Sequence, residues 1–294
     1  MRLNDNMRGA ALMTGCVSAY VINDAFMKFL FSEIALFQAV FLRSIITVPP
    51  VLLMVWVTKV TLRNLAKQDI RLIWLRVGAE ICTTIAFLTA LKYMPLANVT
   101  AILQALPLAV TMAAALFLAE PIGWRRWSAI LVGFMGVLIV VRPGLDGFNV
   151  YSLSALAAII FITVREIATR KLAQEVPTIT VVLSTAIGSA VFAGIMMVGA
   201  EWHAVSTSSW LLLIGAAFAV LIATLLSVMA MRTGEIGFVS PFRYTSMLGA
   251  IGLGILMFGE WPDQPTLAGT LIIVITGIYT FHREQKVSRG VTAS

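Results

Sequence analysis

Glu80, Arg43 and Arg243 each stand inside a long apolar stretch of the chain. A charge at the centre of a bilayer costs about 2.5–3.5 kcal/mol on insertion scales, so in a membrane each would have to face a partner or a wet cavity. At 1.5 Å of rise per residue, Glu80 lies roughly 15 Å into its stretch, Arg43 roughly 14 Å and Arg243 roughly 10 Å. Those depths fit one central layer. An arginine in such a layer can hold a carboxylate through two parallel hydrogen bonds, and Glu80 can answer an ammonium or carry a proton. A structural ion pair that locks helices together is the alternative for all three, most of all for Arg43.

Uncharged polar residues fall in register with them. Asn98, Thr100 and Gln104 occupy positions i, i+2 and i+6 of one stretch, which puts Thr100 about 40° and Asn98 about 120° round a helix from Gln104. Displaced by 140 residues stand Phe238, Ser240 and Tyr244, beside Arg243. Glu80, Arg243, Tyr244, Gln104, Asn98, Thr100, Ser240, Phe238 and Arg43 are therefore the candidate substrate-binding set, with Tyr244 and Phe238 suited to an apolar or aromatic group. Interhelical hydrogen bonds of about 0.6 kcal/mol each are the competing explanation of the uncharged members. Asn23 and Asp24 close the first stretch, and Lys28 follows Asp24 at the i, i+4 spacing of a local ion pair. Arg165, Glu166 and Arg170 mirror that cluster in the second half. Asn23, Asp24, Lys28, Arg165 and Glu166 read as gate or interface groups, as do Pro107 and Pro241, which remove a backbone hydrogen bond and let a helix bend.

The elements that carry these residues follow from composition. Of 294 residues, 60% are apolar and 12% charged, with mean hydropathy +0.94. Soluble domains carry roughly 25% charged residues, so no water-soluble core absorbs this much apolar surface. The chain reads as an all-α, multi-pass membrane protein. Apolar runs bounded by charge, Pro or Gly give ten spans: Gly9 to Phe31, Ile34 to Val57, Ile70 to Leu91, Leu96 to Ala119, Trp127 to Val141, Ser152 to Ala168, Pro177 to Ala200, Ser209 to Met231, Ile236 to Phe258 and Thr266 to Phe281. Ten spans of about 20 residues leave no room for a soluble catalytic domain.

Charge sets the expected orientation. With the N-terminus in the cytoplasm, fifteen of the 21 Lys and Arg residues, Arg76 and Arg232 among them, fall at cytoplasmic ends, whereas Lys92 and Arg142 alone fall on external connections. That bias predicts both termini inside. It also removes the nucleic-acid reading of the net +7 charge, because the basic residues are spread along the chain instead of gathered on one face. Cys16, Cys82, His203 and His282 make no metal-ligand spacing, and no phosphate-binding or dinucleotide fingerprint occurs, so neither metal nor cofactor is expected. Arg8 and Met13-Thr14-Gly15-Cys16 loosely resemble a lipoprotein signal, but the apolar run continues to Ile22, so the stretch reads as an uncleaved first span.

The chain also repeats itself. A shift of 140 residues lays Thr100 on Ser240 and Glu120 on Glu260, and a shift of 142 lays Asp24 and Lys28 on Glu166 and Arg170. Two units, 1–147 and 148–294, then hold five spans each. Since five is odd, the halves must cross the membrane in opposite senses, the inverted-repeat plan of many secondary transporters.

The stretch Ala90-Leu91-Lys92-Tyr93-Met94-Pro95-Leu96-Ala97, the helix end Phe117-Leu118-Ala119-Glu120-Pro121, the run Gly133-Phe134-Met135-Gly136-Val137-Leu138 and their counterparts Gly259-Glu260 and Gly269-Thr270-Leu271-Ile272-Ile273 resemble the drug/metabolite transporter superfamily, specifically its EamA-type ten-helix members. The resemblance covers nearly the whole chain. It implies a central cavity lined by spans 1, 3, 4, 6, 8 and 9, with spans 5 and 10 peripheral. The expected activity is secondary transport of small polar metabolites, most of all amino acids in the export direction, across a bacterial-type inner membrane. Uptake or exchange of S-adenosylmethionine, riboflavin or another metabolite is the alternative. A membrane-embedded enzyme or a receptor is the distant one, since no catalytic conjunction and no large partner-binding loop is visible. The expected partners are a small-molecule substrate, the lipid bilayer and a second copy in a homodimer.

Overall fold

The computed structural model describes residues 2–59, 65–117, 123–145, 148–233 and 239–291. Glu120 and Phe238 lie outside the described residues, and Ser240 and Pro241 are described through their backbone alone. Among the described residues every regular element is helical: α1 (Arg2–Leu30), α2 (Leu36–Thr58), α3 (Lys67–Tyr93), α4 (Leu96–Leu103), α5 (Leu106–Phe117), α6 (Trp124–Val141), α7 (Tyr151–Lys171), α8 (Thr178–Met196), α9 (Thr207–Thr233), a 3-10 turn (Ser240–Tyr244), α10 (Thr245–Phe258) and α11 (Gln264–Val291). Among the described residues seven helical segments, with α4 and α5 taken together as Leu96–Phe117, are long and apolar enough to cross a membrane; Trp127–Val141, Phe242–Phe258 and Gln264–Tyr279 are shorter apolar helices.

Local chemistry explains the boundaries. Lys59 and Arg142 close α2 and α6 in left-handed conformations, and Gly259 does the same for α10 at φ 64°, where only glycine carries no steric cost. The apolar run expected as a fourth span is broken. Pro107 has no N–H to offer the carbonyl of Leu103 and its ring crowds that carbonyl, so the ladder tightens just before it: Gln104 N–H is shared between Thr100 O at 3.1 Å and Ala101 O at 3.2 Å, and Ala105 N–H donates to Ile102 O at 3.1 Å. The helix resumes at Leu106 as α5. The run around Pro241 is interrupted in the same manner, by the 3-10 turn that precedes α10.

The long helices pack in four pairs: α1 with α9, α3 with α7, α2 with α8, and α6 with α11. Every pair joins an element before residue 147 to one after it. The apolar core gathers around Ile102, Leu108, Ile130, Ile159 and Ile273, with a second cluster around Met27, Leu30, Leu42, Leu91 and Leu213. α6 and α11 cross at glycines. A Cβ on Gly136 would meet Ile273 and Ile272 as well as backbone, so small residues there let the helices approach closely.

Candidate functional site

Between the helices lies a cavity of about 140 Å³. α1 brings Tyr20, Asn23 and Asp24; α2 brings Arg43; α3 brings Glu80, Thr83, Thr84 and Phe87; α4 and the break after it bring Thr100 and Gln104; α7 brings Arg165; and the 3-10 turn with the start of α10 brings Arg243 and Ser246. Among the described residues, none of α6 or α11 lines it. The breaks matter here, because Gln104 sits at the interruption after α4 and Arg243 within the turn before α10. Gln104 Nε2 donates across to Tyr244 O at 3.4 Å and Ser246 Oγ at 3.3 Å, which ties one interruption to the other.

Charges of both signs meet on the cavity wall. Arg165 bridges two acids, with Nη1 2.8 Å from Glu80 Oε2 and Nη2 2.8 Å from Glu166 Oε1. Glu166 stands behind the wall and also holds Arg243 at 3.3 Å. Asp24 and Arg43 are arranged differently. Arg43 Nη1 donates to Asn23 Oδ1 at 2.9 Å, and Asn23 Nδ2 donates to Asp24 Oδ1 at 2.9 Å, so a neutral amide stands between cation and acid. All three are buried, Asp24 at 9% exposure and Arg43 at 7%. Thr83 Oγ1 is buried without a hydrogen-bond partner among the described residues, a polar atom on the cavity wall left for something else to satisfy.

The sequence candidates divide on this geometry. Glu80, Arg243, Gln104, Thr100, Arg43, Asn23, Asp24 and Arg165 share the cavity. Asn98 does not line it, and Phe238 lies outside the described residues. Tyr244 is turned away from the expected role: its ring is buried in the apolar core against Gly277, and its hydroxyl has no partner among the described residues. The expected local pair of Asp24 with Lys28 is not formed. Lys28 Nζ instead reaches Glu260 Oε1 at 2.7 Å and Met94 O at 2.7 Å, because those acceptors come from two other elements at the same level. Glu260 takes Leu96 N–H at 2.9 Å with its other oxygen and so caps the start of α4, where the helix dipole favours an anion. Arg165, expected as a gate or interface group, lines the cavity, and Glu166 stands behind it, bonded to Arg165 and Arg243.

Arg76, counted above with the surface charges, is buried at 3% exposure, where Nε donates to Thr169 Oγ1 at 2.9 Å and the guanidinium also meets Thr185. Tyr20, Thr83, Thr84 and Phe87 were not singled out from sequence; the i, i+3, i+4 and i+7 positions after Glu80 would have found three of them on its helix face. Outside the spans, Arg142 binds Asp263, whose Oδ1 also accepts Thr266 N–H at 3.0 Å to start α11. Partial burial raises the Asp263 carboxyl, but those bonds outweigh it and hold it below the usual carboxylate range.

Comparison with known proteins adds three findings. The model of the EamA-like transporter family matches the chain twice, over residues 7–142 and 150–281. A riboflavin transporter of Vibrio cholerae is 30% identical over 73% of this chain and 72% of its own; an S-adenosylmethionine uptake transporter of Rickettsia conorii is 26% identical over 67% and 66%; and a pseudopaline exporter of Pseudomonas aeruginosa is 24% identical over 73% and 76%. A protein of known crystal structure superposes with a TM-score of 0.66 at 18% identity, over 90% of this chain and 96% of that one, a likeness of fold.

Proposed function

Because the chain belongs to the EamA-like transporter family, we propose that it is a secondary transporter of small polar metabolites, amino acids above all, working by alternating access in a bacterial-type inner membrane. The family and the named relatives are transporters, not enzymes, and the chain is a multi-pass membrane protein. In this reading the three shorter apolar helices complete ten spans, organised as two inverted five-helix repeats over 1–147 and 148–294. Two observations support the repeat. The family model matches twice in tandem, and the packing maps onto itself when the halves are exchanged: α1 with α9 becomes α7 with α3, while α2 with α8 and α6 with α11 each become themselves.

The observation that carries the substrate class is the cavity wall, where Arg43, Arg165 and Arg243 stand with Asp24 and Glu80. Glu166 already engages two of those guanidiniums, while Arg43 spends a donor only on a neutral amide. A zwitterion supplies what the site lacks. Its carboxylate takes the fork of Arg43 or Arg243, its ammonium faces Asp24, and Phe87 and Leu103 receive an apolar side chain. S-adenosylmethionine, which the Rickettsia relative takes up by name, carries the same amino-acid head and is the second reading. Export, the direction of the named pseudopaline exporter, is part of this proposal, and the excess of basic residues on one side of the spans supports cytoplasmic termini.

The test is counterflow into proteoliposomes with labelled L-amino acids, S-adenosylmethionine and riboflavin. Saturable amino-acid counterflow is the expected result. Counterflow of riboflavin alone would replace the zwitterion with a neutral ring substrate, and the absence of flux for every solute would end the reading.

A further inference from the structure

A second hollow, of about 530 Å³, lies between α3 and α8. α3 lends it Ile70, Trp74, Val77 and Ile81, and α8 lends it Thr180, Ser184 and Ile187. Among the described residues it shares no lining residue with the central cavity. The two helices touch at Gly188, where a Cβ would stand 2.3 Å from Val77 Cγ1. Away from that contact the walls open outward, with Ile70, Trp74 and Ile187 exposed. From Ile70 to Ile81 the helix rises roughly 16 Å, about half of a hydrocarbon core of about 30 Å, which is the reach of one acyl chain in one leaflet.

The two ends of the hollow differ. By Ile81 and Ile195 it is apolar, whereas the other end lies where α3 and α8 both begin. Lys67 stands there one turn before Ile70 and two turns before Trp74 on the same face of α3, Arg71 stands one turn before Trp74, and both cations are exposed. Asp69, the acid between them, is buried and accepts the N–H of Ala173 at 3.1 Å. Thr180 supplies an independent sign of a ligand. It is 6% exposed and lines the hollow, and its hydroxyl has no hydrogen-bond partner among the described residues, a state that buried polar groups rarely keep. We propose that the hollow binds an anionic phospholipid. One acyl chain lies along α3 and α8, the phosphate rests on Lys67 and Arg71, and an ester carbonyl accepts the Thr180 hydroxyl. The apolar walls hold the chain of any lipid, and the two cations select the headgroup. At about fivefold for each basic residue near a membrane surface, they give a preference of about tenfold or more over a zwitterionic lipid.

The experiment uses the full chain in phosphatidylcholine nanodiscs, into which phosphatidylglycerol or phosphatidylcholine with brominated chains is titrated. Bromine quenches a tryptophan on contact. Since the chain has seven tryptophans, the Trp74 signal is the difference between wild type and Trp74→Phe. Half-maximal quenching of that signal should come at about a tenfold lower mole fraction of brominated phosphatidylglycerol than of brominated phosphatidylcholine. Lys67→Gln combined with Arg71→Gln changes only exposed side chains and should bring the two curves together, whereas Thr180→Val should weaken both lipids by about threefold. Coincident curves for the two lipids in wild type would overturn the proposal, and so would full preference in the double variant or a Thr180→Val curve equal to wild type. Quenching by neither lipid would mean that protein, such as a second copy of the chain, fills the hollow, and would overturn it as well. Native mass spectrometry of wild type from discs of equal phosphatidylglycerol and phosphatidylcholine needs no variant. One phosphatidylglycerol retained per chain is the expected result there, and equal retention of the two lipids would overturn the proposal.

Discussion

Gly136 of α6 and Gly269 of α11 face each other so closely that a Cβ on Gly136 would stand 2.8 Å from Gly269 O, and a Cβ on Gly269 2.6 Å from Gly136 O. Both obstacles are backbone, so neither can swing aside. Gly269→Ala should lower stability by about 1–3 kcal/mol through overpacking, and Gly136→Ala should do the same. Thermal unfolding in detergent checks this. Two variants as stable as wild type would mean that the helices separate easily.

Tyr244 gives a contrasting expectation. Its hydroxyl is buried without a partner among the described residues, and such a group costs about 1–3 kcal/mol. Tyr244→Phe should therefore leave stability equal or higher, and counterflow affinity within about twofold, a change worth under half a kcal/mol. Gly277→Ala should be harmful, because its Cβ would fall 1.6 Å from that hydroxyl oxygen. A large loss of affinity in Tyr244→Phe would return the ring to the substrate site.

Arg243 tests the carboxylate clamp. Arg243→Ala should abolish counterflow of carboxylate-bearing solutes, and Arg243→Lys should lose most of it, because an ammonium cannot reproduce the planar fork. Unchanged affinity in Arg243→Ala would remove Arg243 from the clamp and leave Arg43 to be tested by Arg43→Ala.

The contact of Lys28 with Glu260 holds three elements together at the Leu30 end of α1. Lys28→Met and Glu260→Gln should each destabilise the protein, with a coupling of about 0.5–3 kcal/mol in a double-mutant cycle. Exchanging the two residues should recover little. The swap would put a cation against the N–H of Leu96 at the start of α4, where the dipole disfavours it. Full recovery would show that the ion pair alone matters.

Asp263 sets a pH dependence. Its folded carboxyl titrates below the unfolded value, so the stability it contributes is present above the ordinary aspartate range of about 3.9 and is lost as pH falls through the lower folded value. Asp263→Asn should flatten that acid loss. Removal of the cap on α11 in Asp263→Ala should cost about 0.5–2 kcal/mol at neutral pH. Identical acid unfolding curves for Asp263→Asn and wild type would refute the assignment.

Much of the helical frame could be read in advance because it is written in local terms. Apolar runs mark the helices, and Pro107 and Pro241 mark the two interruptions. The wall of the cavity was legible in part, since a charge within an apolar run has few other uses. Partnership was not legible. Lys28 suits Asp24 by spacing, yet it reaches an acid 232 residues away, and nothing local encodes that choice. Arg165 likewise looked peripheral by position, and only the packing of α7 on α3 brings it to Glu80. Tyr244 lies at the right level, but its rotation about the helix follows from the space that Gly277 leaves.

The pairing of α1 with α9 has a consequence for biosynthesis. At about 5–20 residues per second, the ribosome reaches Glu260 roughly 10–50 seconds after it has made Lys28, given the 232 residues between them. Until Thr233 is made the first helix carries Asn23, Asp24 and Lys28 with its principal packing partner, α9, unfinished. The nascent first half must therefore be sheltered, by the insertion machinery or by water at the bilayer surface, until the second half arrives.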